Sequence, residues 1–226
     1  MKTFCHWAAG DMKLAQKSSE KAIEVALDPF YSQFPKFTLG VAYFLGGQLQ
    51  EAENALQSCI NFGEKHSVGE ISVVGQFYLA PILIAKGHMQ QGTELLEIAQ
   101  KTLIRNQRRV QYAMSEYILG EVNSQIAASP KPSLSIMAKN ISFLAKTVPF
   151  ATKKAEQHFK KAIKIFSELG AKGQLGMVYL SLGLLHKSTK KTDQAKQCIL
   201  EAIDLFKECE ADGWLKQANE ALDSLA

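Results

Sequence analysis

The chain has 226 residues, 46% of them hydrophobic and 21% charged, with 26 Lys plus Arg against 22 Asp plus Glu. That balance excludes a disordered or collagen-like chain and an acidic or basic tail protein, and the length allows one large domain or two small ones. The longest apolar run, Phe77 to Ala85, falls far short of the ~20 residues that span a bilayer. Met1 to Asp11 lack the apolar stretch and cleavage site of a secretory signal, and Cys5, Cys59, Cys198 and Cys209 form no closely spaced pair of the zinc or thiol-redox kind. A cytoplasmic, reducing setting without a membrane is expected.

From the N-terminus, Gly10, Ala15, Ser19 and Ala22 fit the second half of a helix-pair unit over about 1–30. Its first helix would begin before residue 1, so the chain is expected to start inside a repeat. The next copy, 31–70, carries Leu39, Gly40, Tyr43, Gly47, Ala52, Leu56 and Cys59. Adding forty to each number gives Leu79, Ala80, Leu83, Gly87, Gly92, Leu96 and Ala99, in a copy over 71–110 where Pro81 is expected to interrupt helical hydrogen bonding. Adding forty again gives Leu119, Gly120, Asn123 and Ala127 in a copy over 111–170. There the match is lost in an insert, 128–150, containing Pro130, Pro132 and Pro149, and resumes at Ala155, Phe159 and Ala162. Within the insert, Leu134, Met137, Ile141 and Leu144 predict a short helix that packs back on the repeats. The last copy, 171–212, reads Leu182, Gly183, His186, Lys190, Ala195, Ile199 and Ala202. Trp214, Leu215, Ala218, Ala221, Leu222 and Leu225 predict a capping helix over 213–226.

These spacings define an all-α chain: one α-solenoid over 1–226, built of antiparallel helix pairs with a period of about 40 and a C-terminal capping helix. The physical reason for the pattern is close approach. Small residues in the first helix (Gly40, Ala80, Gly120, Gly183) and in the second (Ala52, Gly92, Ala155, Ala195) let the two lie together, while the bulky positions fill the seam.

The Leu-Gly and Tyr of the first helix, followed by Ala, Phe and Ala in the second, resemble the tetratricopeptide repeat (TPR). The forty-residue period exceeds that family's usual ~34, and Asn123 and His186 occupy the Tyr position in two copies. Five phrases are more particular: Lys139 to Leu144, Pro149 to Ala151, Ala155 to Ile163, Leu182 to Lys187 and Ala202 to Ala211. They resemble the C-terminal repeats of bacterial multidomain signalling proteins, in which an adenylate or guanylate cyclase or a signal-transducing ATPase lies upstream. The resemblance implies a non-catalytic scaffold or regulatory module whose partner is a protein or peptide, including the parent's own catalytic domains. The alternative it allows is a ligand-binding sensor domain of a transcriptional or signalling regulator.

No catalytic motif stands out. The glycine-rich segment from Gly170 to Gly176 lacks the Lys-Ser/Thr ending of a phosphate loop and reads as a helix stop and restart. His6, His66, His88, His158 and His186 occur singly; His186 is expected to pack in its Tyr position and His158 to lie on a solvated face. Cys59, Cys198 and Cys209 are expected to be buried and inert. No enzyme activity, metal or cofactor is expected.

Two surfaces are candidates for binding. Phe37, Phe44, Phe77, Ile84, Met114 and Tyr117, one turn either side of the small position in each first helix, either bury against neighbouring helices or line a groove for a helix or extended peptide. Charge is divided: residues 131–196 net +10, those from 197 onward −5, and the remainder −1. Within the basic block, Lys139, Lys146, Lys153, Lys154, Lys160 and Lys161 form either a solvated helix face or a docking face for an acidic partner or a nucleotide-bearing domain. Nucleic acid is a poorer fit, since Arg is scarce there and few aromatics alternate with the lysines.

Overall fold

A computed structural model describes residues 11–128 and 134–225, the side chains of 134–137 excepted. Cys5, His6, Gly10, Pro130, Lys131, Pro132 and the side chains of Leu134 and Met137 therefore lie outside the described residues. Among these residues every regular element is helical, and they group into two compact units, 11–107 and 108–225.

The first unit contains α1 (Met12–Glu24), α2 (Gln33–Leu45), α3 (Leu49–Lys65), α4 (Gly69–Ala85) and α5 (Met89–Arg105). Each packs on the next. Its core joins Phe37 of α2, Ala52, Leu56, Cys59 and Ile60 of α3, and Ile71, Leu79, Ile82 and Leu83 of α4. The Asp11 carboxylate caps α1 by accepting from the Leu14 N–H at 3.0 Å. Helix α4 continues through Pro81 to Ala85, so the proline removes one hydrogen-bond donor without ending the helix.

The second unit contains α6 (Arg109–Ala128), α7 (Leu134–Thr147), a 3-10 turn (Val148–Phe150), α8 (Ala151–Leu169), α9 (Lys172–Ser188), α10 (Thr192–Glu208) and α11 (Asp212–Asp223). Helix α6 packs on α8, past the insert that separates them in sequence, and α9 pairs with α10. On α8 the apolar residues Ala155, Phe159, Ala162 and Phe166 recur at helical spacing and are all completely buried.

The small positions sit where the helices approach most closely. A Cβ on Gly40 would lie 2.7 Å from the Leu56 side chain, one on Gly183 2.7 Å from Ile199, and one on Gly120 2.5 Å from the Phe159 ring. A forty-residue step also separates the starts of α4 and α6, of α3 and α5, and of α9 and α11.

The turns share one construction. Gly47, Ser67, Gly87, Lys190 and Glu210 all have φ between 53° and 87°, and the next residue's N–H donates back to a carbonyl five residues earlier: Gln48 to Tyr43, Val68 to Gly63, His88 to Leu83, Lys191 to His186, Ala211 to Phe206. This is the Schellman closure, in which a left-handed residue lets the chain satisfy the last carbonyls of a helix. Gly170 does the same work at the end of α8, with φ 64° and the Ala171 N–H donating to the Phe166 carbonyl at 3.0 Å.

Candidate interaction surfaces

The six aromatic and apolar positions of the first helices divide by exposure. In the first unit Phe77 has no exposed surface, Phe37 and Ile84 are buried, and Phe44 is half-buried. In the second unit Met114 is buried and Tyr117 is half-buried. Phe37 and Phe77 thus serve packing in this conformation, and Phe44 and Tyr117 are the aromatic members that keep surface.

Tyr117 belongs to a small polar group. Its hydroxyl lies 3.4 Å from the Ser181 Oγ of α9, and the Glu121 carboxyl, one turn further along α6, hydrogen-bonds the same serine. Burial pushes Glu121 above the usual carboxylate range, with the serine hydrogen bond opposing, and burial also pushes the Tyr117 phenol up. Apolar Met114 and this Tyr-Ser-Glu group place both apolar and hydrogen-bonding chemistry on the first helices of the second unit.

The seam between α6 and α8 holds a buried carboxylate. Glu116 is 2% exposed, with its Oε2 2.6 Å from His158 Nδ1 and its Oε1 3.6 Å from Lys161 Nζ. Burial alone would raise its pKa, but hydrogen bonds from His158 and Tyr112 and the charges of His158 and Lys161 outweigh it and hold the carboxyl below its ordinary range. His158 is accordingly in a structural pair and not on the solvated face expected for it. Glu116 precedes Gly120 by one helical turn, so spacing alone places it on the close-packed side of α6. An acid in that position is the sequence signal for a paired, buried charge.

His186 is buried as expected, and burial lowers its proton affinity, with Glu156 opposing and Lys191 and Lys160 assisting. Asn123, which also stands in the Tyr position, donates from its amide to the Leu119 carbonyl at 2.7 Å. Cys59 is buried; desolvation pushes its thiol up to about 12 despite the opposing Lys36 charge. Cys198 is half-buried and Cys209 is exposed, which corrects the expectation of three buried thiols: Cys209 falls in the turn after α10 and not on its inner face. Partial desolvation still raises the Cys209 thiol, against the pull of Lys172. It therefore remains a weak nucleophile.

The basic block divides in two. Lys160 pairs with Glu156 at 2.9 Å, Lys161 with Glu116 at 3.6 Å, Lys172 with Glu208 at 2.7 Å and Lys191 with Glu156 at 3.7 Å. Lys139 and Lys146 of α7 and Lys153 and Lys154 of α8 are exposed and meet no carboxylate among the described residues. Glu156 within the block, Glu116 of α6 and, for Lys172 alone, Glu208 of the acidic tail thus neutralise part of the block, and the α7 end meets no carboxylate among the described residues.

Helix α7 does not lie as its apolar pattern predicts. It bends at Asn140, whose φ of −123° and ψ of 15° are non-helical, and Asn140 and Thr147 are buried. Phe143 and Leu144 are half-buried while Ile141 is 69% exposed, so Ile141 faces away from the packed side on which it was expected. The bend resets the helical phase after Asn140, and that change cannot be read from residue spacing.

Among the described residues no helix is long and apolar enough to cross a membrane, and no group of His, Cys, Asp and Glu is placed to hold a metal ion.

Residues 176–209, which cover most of α9 and α10, match the family model of the tetratricopeptide repeat. No curated protein matches the chain. Among solved structures, the chain is similar to BtubC (BKLC) from P. vanneervenii, with a TM-score of 0.58 and 16% sequence identity, over 95% of this chain and 89% of that chain. At that identity the likeness is one of fold: both are helical repeat proteins. Tetratricopeptide repeats generally mediate protein–protein contacts, and the fold is generally non-catalytic.

Proposed function

We propose that this chain is a non-catalytic interaction module that binds a protein or peptide partner. The observation that carries the reading is the tetratricopeptide match on α9–α10, set among helix pairs built on the same small-residue seams. In mechanism it is binding alone. Rigid helix pairs present fixed side chains, Phe44 and Tyr117 supply aromatic contact, and the unpaired lysines Lys139, Lys146, Lys153 and Lys154 steer an acidic partner. Phe37, Phe77, Ile84 and Met114 hold those helices in place from beneath, Lys161 makes a charge contact across the α6–α8 seam to Glu116, and Lys160 pairs with Glu156 within α8.

The forty-residue register runs through both units, which supports one array over 1–226. The quoted phrases from Lys139 to Ala211 support a place beside the cyclase or ATPase of a larger bacterial signalling protein in the cytoplasm. The test is capture of cross-linked proteins by the purified chain from a lysate of its source. Retained partners that are lost on replacing Phe44 and Tyr117, or the unpaired lysines, bear the reading out. Nucleotide or ester turnover by the purified chain, or partners indifferent to all those replacements, would overturn it.

A second reading, a small-ligand sensor, draws on the Tyr117, Ser181 and Glu121 group, whose hydroxyls and raised carboxyl suit a polar ligand. Ligand-induced thermal shifts that Ser181→Ala abolishes would favour it.

A further inference from the structure

We infer that the second part of α7 and the turn after it, residues 138–150, are themselves a docking site, and that the occupant is an acidic amphipathic helix of a partner protein. The inference rests on the interaction reading above and assigns the partner's chemistry. Beyond the bend at Asn140, α7 has two unlike faces. Asn140 and Thr147, with the half-buried Phe143 and Leu144, form the packed side. Ile141, Ala145 and Val148 follow one another at steps of four and three, the spacing of one helical stripe, and all three are exposed. Ile141 is 69% exposed and Val148 51%, and Phe150 at the end of the 3-10 turn is 58% exposed. Such a cluster of large apolar side chains in water is what an anchor site for another helix requires.

Charge identifies the occupant. No Asp or Glu occurs between Glu121 and Glu156, and the same stretch holds Lys131, Lys139, Lys146, Lys153 and Lys154. The four lysines that the structure describes are exposed and meet no described carboxylate, whereas Lys160, Lys161, Lys172 and Lys191 further along the chain have carboxylate partners. A partner helix with apolar residues at i, i+4 and i+7 would cover Ile141, Val148 and Phe150, and acids on the Phe150 side of its stripe would meet Lys146, one turn before Phe150, with Lys139 seven residues further back. An anionic membrane fits less well. An interfacial helix buries one broad apolar face in lipid, whereas Phe143 and Leu144 of α7 turn toward protein and leave only a narrow stripe outward. Repeat proteins often place insertions on the face used for binding, which agrees with this position.

The experiment uses the full chain and a fluorescent helical peptide with Leu at i, i+4, i+7 and i+11 and Glu on both flanks. A second peptide carries Lys in place of each Glu, and vesicles of phosphatidylcholine with phosphatidylserine test the lipid alternative. The acidic peptide is expected to bind, to weaken as salt rises, and to lose affinity about tenfold or more with Ile141→Ser/Phe150→Ser and with Lys139→Glu/Lys146→Glu. The Lys139→Glu/Lys146→Glu chain is expected to gain binding to the basic peptide. All of these side chains are exposed, so the variants are expected to melt close to the parent, and circular dichroism checks that they do. Failure of the acidic peptide to bind, binding indifferent to the insert variants, or sedimentation with vesicles in place of peptide binding overturns the inference. If lysate partners depend on Phe44 and Tyr117 but not on the insert, the interaction reading stands and this assignment falls; if no protein partner is retained at all, the interaction reading itself falls.

Discussion

Lys190 has φ 60° in the turn between α9 and α10, where Gly87 occupies the equivalent place between α4 and α5. A left-handed backbone crowds the Cβ of any L residue and costs roughly 1–2 kcal/mol, from which the greater freedom of glycine in the unfolded chain subtracts part. Lys190→Gly is therefore expected to stabilise by about 0.5–1 kcal/mol, seen as a higher urea midpoint at unchanged slope. Ser67 and Glu210 are open to the same relief. Nothing in those four-residue contexts announces a turn, since Ser, Lys and Glu carry no preference for positive φ, so the sequence shows the turn only where glycine stands in it. Glu116 makes the opposite case. Replacing it by Met removes the acceptor shared by Tyr112, His158 and Lys161 inside the α6–α8 seam. A loss of about 1 kcal/mol in chemical denaturation is expected, because the half-buried Tyr112 and His158 lose their shared acceptor while exposed Lys161 is solvated.

At the scale of helices, the seams explain why the repeat was legible. Gly40, Gly120 and Gly183 meet Leu56, Phe159 and Ile199 at distances that admit no Cβ, so the forty-residue recurrence of small residues is a direct record of helix contact. Gly120→Val should overfill the seam against Phe159 and destabilise by about 2 kcal/mol. Adding Phe159→Leu should recover part of that loss, which a double-mutant cycle by thermal melting measures. What spacing could not reveal lies where helical phase is broken or where pairing is tertiary. The bend at Asn140 turns Ile141 outward, and which lysines find a carboxylate depends on tertiary placement: Glu116 of α6 reaches Lys161 of α8, Glu208 of α10 reaches Lys172 of α9, and Glu156 of α8 reaches Lys191. The candidate aromatics show a further limit. Residues one turn from the small position include both the fully buried Phe77 and the half-buried Phe44, because helical phase places a side chain on a side of its helix without saying how deep that side lies.

For the molecule as a whole, acid should act on the second unit through three groups whose shifts share one sign, offset in part by Glu121, whose burial-raised carboxyl favours the folded state as it protonates. His186 binds its proton less readily folded than unfolded, since burial opposes its charge, so stability falls as pH drops below its ordinary 6.5 toward the lowered folded value. Glu116 and Glu156 are held below the ordinary 4.5, and their contribution, complete above that pH, is lost as pH falls through their lowered values. Melting temperature is expected to decline in two stages, and His186→Phe should flatten the first while leaving the second. The insert acts on the same unit in another way. Most neighbouring helices are joined by three-residue turns, whereas α6 must find α8 across residues 129–150. For a flexible connection that difference adds about 2 kcal/mol of closure entropy. Local pairs such as α9–α10 can therefore form early, and the α6–α8 seam, with its buried carboxylate, is left as the late, high-contact-order step of assembly.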